Sequence, residues 1–106
     1  IMNIKKIIAS LMAKSIGLRF DLPGGYVDFE FENDSNLKAI ASSAIEAIDW
    51  QDLEYFYVLI KYNDKVVSLY NDKNRKIFVL ALPEGDIVVP FRVKSFKLFE
   101  EAIKKL

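Results

Sequence analysis

The chain has 106 residues, 52% of them hydrophobic, with fifteen basic and fifteen acidic side chains that cancel and with neither cysteine nor histidine. That length and apolar content imply one domain with a real core, while the cancelled charge disfavours nucleic-acid binding through a general positive field. The missing residue types exclude disulfides, thiol chemistry, the commonest zinc ligand and the commonest general base, and nothing requires an oxidising compartment, so a cytoplasmic location is expected.

In chain order, Ile4, Ile7, Ile8, Leu11 and Met12 recur at the spacing of an amphipathic helix. Lys5, Lys6 and Lys14 interrupt any continuous span, so this start reads as a packed helix and not as a targeting or membrane-inserting segment. Asn3 suits its N-cap and Gly17 its end.

From Gly17 the period becomes two. Leu18 to Leu22 and Tyr26 to Glu32 read as a hairpin turning at Pro23-Gly24-Gly25. In its second strand Val27, Phe29 and Phe31 alternate with Asp28, Glu30 and Glu32, so one face is apolar and the other carries carboxylates. Carboxylates two apart on a strand share a metal shell poorly, and the expectation is a solvated face with no metal and no cofactor.

Asp34, Ser35 and Asn36 are helix-capping types ahead of a helical run, Leu37 to Ile48. Its apolar stripe is Leu37, Ile40, Ala41, Ala44, Ile45 and Ile48. Beside that stripe Ala39, Ser42, Ser43 and Ala47 are small enough to admit another helix, or to lie tightly on the chain's own sheet.

Glu54 to Tyr62 is the most distinctive stretch. Tyr55, Tyr57 and Leu59 point one way and Phe56, Val58, Ile60 and Tyr62 the other, so both faces of this strand call for cover. Asn63-Asp64 turns into Val66 to Tyr70, and a second turn, Asn71 to Arg75, leads to Lys76 to Leu82, with Lys73, Arg75 and Lys76 clustered there. Those three cations suggest phosphate or RNA, but Asp72 lies among them and no base-stacking signature is present, so a solvated turn is favoured. Pro83-Glu84-Gly85-Asp86 is a break, Ile87 to Val89 a short strand or an approach to a helix, and Pro90 suits a helical first turn. Phe91, Phe96, Phe99, Ile103 and Leu106 give a closing helical stripe.

The resulting fold class is α+β: one antiparallel sheet of about five strands with helices packed on it, in the order α-β-β-α-β-β-β-α. That order, from the first amphipathic helix and its Ile16-Gly17 exit, through Leu37 to Ile48, to Phe96 to Leu106, resembles the Roadblock/LC7 family of longin-like domains. The turn at Asp21-Leu22-Pro23-Gly24-Gly25 departs from that family's aspartate-glycine turn. The resemblance implies a homodimer in which the middle helices pack together and the third strands pair edge to edge, serving as a scaffold or regulator of a small Ras-like GTPase. The interface residues it implies, on segments already marked by small side chains and two-sided hydrophobicity, are Ile40, Ser43, Ala44, Ala47, Tyr55, Tyr57, Val58 and Leu59.

Charge is uneven along the chain, since Asp21 to Ile60 holds nine acidic side chains and one lysine, Lys38. Catalysis is not expected. Asp28 with Glu30, and Glu100 with Glu101, are the available carboxylate pairs, and exposed carboxylates of ordinary pKa make poor acids at neutral pH. Gly24 and Gly25 lack the following Lys-Ser/Thr of a phosphate loop. A non-catalytic protein-interaction module is therefore the leading expectation, with a viral or defence-related inhibitor or a small-ligand sensor of similar topology as alternatives.

Overall fold

A computed structural model describes residues 3–32, 34–72, 77–84 and 87–104. The basic turn with Lys73, Arg75 and Lys76, the break at Gly85 and Asp86, and Leu106 of the closing stripe lie outside those residues. The first helix, α1 (Ile4–Met12), begins where Asn3 Oδ1 accepts from the backbone N–H groups of Lys5 and Lys6, and it buries all five residues of its stripe. It stops before Gly17. The backbone N–H and the hydroxyl of Ser15 both donate to the Met12 carbonyl, at 3.0 and 2.8 Å, and close the helix there. Gly17 instead opens β1 (Gly17–Leu22).

Pro23 and Gly24 turn the chain into β2 (Gly25–Glu30). Proline ahead of a glycine at φ 99° is the pattern of a type II turn, which demands a left-handed residue at its third position. Glu32 leaves the strand at φ 45°, an uncommon conformation for a residue with a side chain, just before α2 (Ser35–Ala47). The Asp34 carboxylate accepts from Asn36 and Leu37 at that helix's start. After α2 a short 3-10 helix, Trp50–Asp52, turns the chain, with Trp50 Nε1 donating to the Ile45 carbonyl.

The remaining elements are β3 (Tyr57–Lys61), β4 (Val66–Asp72), β5 (Ile77–Glu84), β6 (Ile87–Val93) and α3 (Phe96–Ile103), the last capped by the Ser95 hydroxyl. All six strands form one antiparallel sheet in the order β2-β1-β3-β4-β5-β6. The fold class is α+β, with six strands rather than about five.

Two expectations change here. Pro90 starts no helix: it sits within β6, and β6 is an edge strand, where a missing N–H can face away from the sheet. The Glu54 to Tyr62 segment is not an edge either. Its regular part, β3, is hydrogen-bonded to β1 on one side and to β4 on the other, so it has no free backbone groups with which to pair a second chain edge to edge.

The core lies on one side of the sheet. Leu18, Phe20, Val58, Ile60, Val67, Leu69, Leu80 and Val93 point inward beneath α1, Ala41 and Ile45 of α2, and Phe99 of α3. Trp50 packs edge-on against Phe20 and Phe56, with ring centres 5.9 and 5.2 Å apart, and seals the base of that layer. Tyr62 ties the end of β3 to α1 by donating to the Leu11 carbonyl at 2.6 Å, and burial pushes its hydroxyl up to about 12.

The candidate functional site: the outer face of the sheet

Strand alternation and the pairing register fix what lies on the opposite face. Three rows run across the sheet, each following directly paired residues. One contains Tyr26, Asp21, Tyr57, Tyr70, Val79 and Arg92. The next contains Asp28, Arg19, Leu59, Ser68, Ala81 and Pro90. The third joins Glu30, Gly17, Lys61 and Val66; the pairing of β4 with β5 starts only at Ser68 and Ala81, and the Pro83–Val88 pair lies beyond that break on the same face. The apolar inward residues of the sheet and the buried faces of the helices belong to one core cluster, which leaves these rows outside it.

The middle and the β5–β6 side of this face are apolar. Tyr57 stacks on Tyr70 with ring centres 5.7 Å apart and planes 16° apart, and its hydroxyl donates to Ser68 Oγ at 3.1 Å. Tyr57 is 38% exposed, Val66 49% and Val88 67%, whereas Val79 and Ala81 are nearly buried between their neighbours. Exposed apolar side chains on a sheet face that lies outside the core cluster are the usual mark of an association surface.

The β1–β2 side is charged and internally paired. Lys61 Nζ lies 2.8 Å from Glu30 and 3.2 Å from Asp28. Those two hydrogen bonds, the one to Glu30 foremost, raise the Lys61 ammonium above its ordinary value. Arg19 Nε meets Asp21 Oδ1 at 3.1 Å, and the same guanidinium lies 4.0 Å over the Tyr26 ring. Of the three carboxylates in the second strand, two thus share one ammonium, while Glu32 lies beyond β2. A separate acidic pair flanks Trp50, where the hydrogen bond with Asp49, then its charge, raises the carboxyl of Asp52. Among the described residues no three acidic or other metal-ligating side chains converge.

No family model, curated protein or solved structure matches this chain. The site therefore stands on its own geometry.

The residues singled out from the sequence fall in three places. Ile40, Ser43 and Ala47 are exposed on α2, with Ala44 half-buried beside them, and Ile40 is 55% exposed although it belongs to the apolar stripe. Tyr57 and Leu59 are on the outer face of the sheet, and Tyr55 precedes β3 with its hydroxyl 3.4 Å from the Leu22 carbonyl. Val58 is 0% exposed, its side chain in the core beneath the helices, so it reaches no surface. Because α2 covers the inner face and Tyr57 and Leu59 lie on the outer one, the set is distributed over both sides of the sheet. Sequence reasoning missed Val66, Tyr70, Val79, Val88 and Pro90. The signal was present in β4 and β5, where Val66, Tyr70, Val79 and Ala81 alternate with Val67, Leu69, Leu80 and Leu82, apolar on both faces as in β3.

Among the described residues no helix is long and apolar enough to cross a membrane.

Proposed function

We propose that this chain is a non-catalytic protein-interaction module that associates with itself and with a second protein through the outer face of its sheet. The observation that carries this reading is one-sided cover: three helices lie on one face of a six-stranded sheet, and the other face keeps an apolar centre built on Tyr57 and Tyr70. Water against that surface is costly, and a protein partner relieves the cost. The candidate carboxylates Asp28 and Glu30 are both held by Lys61, which supports an ion-pairing role over acid and base work.

A small Ras-like GTPase is the second protein proposed, and it rests on the Roadblock-like order of elements alone. The edge-to-edge pairing of third strands that goes with that resemblance is not available to β3, so the docking surface here is the face and not the edge.

Affinity purification from cells that make the protein tests the reading, with the parent and Tyr57→Glu compared. A defined partner, GTPase or other, recovered with the parent and lost with the variant is the expected result. Equal recovery with both, or no partner with either, contradicts it.

A further inference from the structure

We propose that a second copy of this chain occupies the outer face, packed sheet against sheet about a two-fold axis that runs parallel to the strands between β3 and β4. This rests on the reading of that face as a surface for self-association, and it adds the axis and the orientation.

The midline of the sheet order β2-β1-β3-β4-β5-β6 falls between β3 and β4, where Tyr57 and Tyr70 stack. An interface between identical copies repeats its own residues across the axis, and aromatic side chains at its centre are the usual anchors. The most suitable anchors on this face thus already sit where the axis must pass.

Charge selects the direction of the axis. The β1 and β2 end carries Asp21, Asp28 and Glu30 against Arg19 and the Lys61 side chain that reaches it, which leaves one net negative charge, while the β6 end carries the exposed Arg92. A two-fold axis perpendicular to the strands would lay β2 on β2 and bring the carboxylates of both copies together. An axis parallel to the strands lays β6 of each copy over β2 of the other, so opposite charges meet and like charges separate. Rotation about that axis also keeps each row facing its own counterpart. Arg92 then arrives in the row of the partner's Tyr26 and Asp21, where it shares Asp21 with the Arg19 already beside it.

The size is sufficient but not generous. Six strands, each about 4.8 Å wide, cover about 29 Å, and three rows, each about 7 Å deep, cover about 21 Å. Two such footprints total roughly 1,200 Å², the low end for specific association, so the dimer is expected to dissociate on dilution.

The chain has no cysteine, which makes site-directed cross-linking clean. Ser68→Cys, on the outer face beside the midline, is expected to cross-link to its counterpart with a bis-maleimide spanning about 10 Å, the separation of packed sheets. Ser43→Cys on α2 is expected not to. Arg92→Glu and Asp21→Lys are each expected to weaken the dimer about tenfold, and the double reversal in one chain to recover most of that loss. A dimer that cross-links through Ser43→Cys and not Ser68→Cys overturns the face-to-face packing. Single reversals without effect, or a double reversal without recovery, overturn the orientation. A monomer at every concentration overturns the second copy as occupant. If a heterologous partner is still lost with Tyr57→Glu, the face remains a docking surface for a different chain, and this inference fails together with self-association.

Discussion

Lys61 reaches Glu30 from two strands away, and the 2.8 Å contact exists because Gly17, directly between them in the sheet, has no side chain. A Cβ at Gly17 would lie 3.0 Å from the Phe29 carbonyl, 3.2 Å from Glu30 Oε2 and 3.2 Å from Lys61 Cδ. The glycine serves passage here. It lets one ammonium cross a strand and hold two carboxylates that would otherwise repel.

Gly17→Ala is therefore expected to cost about 1–2 kcal/mol, since the backbone carbonyl cannot give way as a flexible side chain can. Lys61→Met is expected to cost about 0.5–1 kcal/mol at low salt, because the ion pairs are partly exposed. Denaturant titrations at two ionic strengths check both values. The loss in Lys61→Met should shrink at high salt, and that in Gly17→Ala should shrink only by its ion-pair share and keep the part due to the Phe29 carbonyl.

Tyr62 predicts an alkaline limit. Its unfolded hydroxyl ionises near 10 and the folded one, buried against α1, resists until about 12. Stability from this group is fully present below pH 10 and falls as pH rises through that window, because only the unfolded chain gives up the proton. The fall is about 2 kcal/mol after allowance for partial exposure. Tyr62→Phe is expected to remove this slope while lowering stability near neutrality by about 1 kcal/mol for the lost hydrogen bond. Unfolding followed from pH 8 to 12 distinguishes the two effects.

Asn71 holds the approach to the central strand. Its carbonyl oxygen accepts from the Phe56 N–H at 2.9 Å and its amide donates to the Glu54 carbonyl at 3.3 Å, which fixes the segment that delivers Phe56 to the core. Asn71→Ala is expected to cost about 1–2 kcal/mol by leaving the Phe56 N–H without that partner. Faster amide exchange at Phe56 than in the parent would be the direct sign.

Adjacent residues of β3 should give opposite kinds of defect. Val58→Asp puts a carboxylate into the core and is expected to cost about 4 kcal/mol or more, enough to unfold a domain of this size. Tyr57→Glu changes the outer face and is expected to leave a folded chain within about 1 kcal/mol of the parent. Thermal unfolding of the two variants separates core from surface on a single strand.

Much of the fold was legible because two periods are strong. The stripe of α1 and the alternation of Phe56, Val58 and Ile60 against Tyr55, Tyr57 and Leu59 both appear as the sequence implies. The sheet order was not legible, since nothing local in Tyr57–Lys61 says whether β1 or solvent lies beside it; partner choice is made by the whole core. Pro90 hid β6, because proline reads as a strand breaker unless the strand is known to be an edge. Ile40 misled because it lies about 100° around the helix from Ala41, at the margin of the stripe, while Ala41 and Ile45 take the buried positions. The candidate site was half legible. Tyr57 and Leu59 were found from alternation, but their partners on β4 to β6 needed the register.

The central claim is that two copies meet through the outer sheet face. Absolute mass by light scattering, measured across a dilution series for the parent and for Tyr57→Glu, tests it most directly. The expected result is a parent that moves from dimer to monomer on dilution and a folded variant that is monomeric throughout. Identical masses for the two proteins at every concentration would contradict the claim.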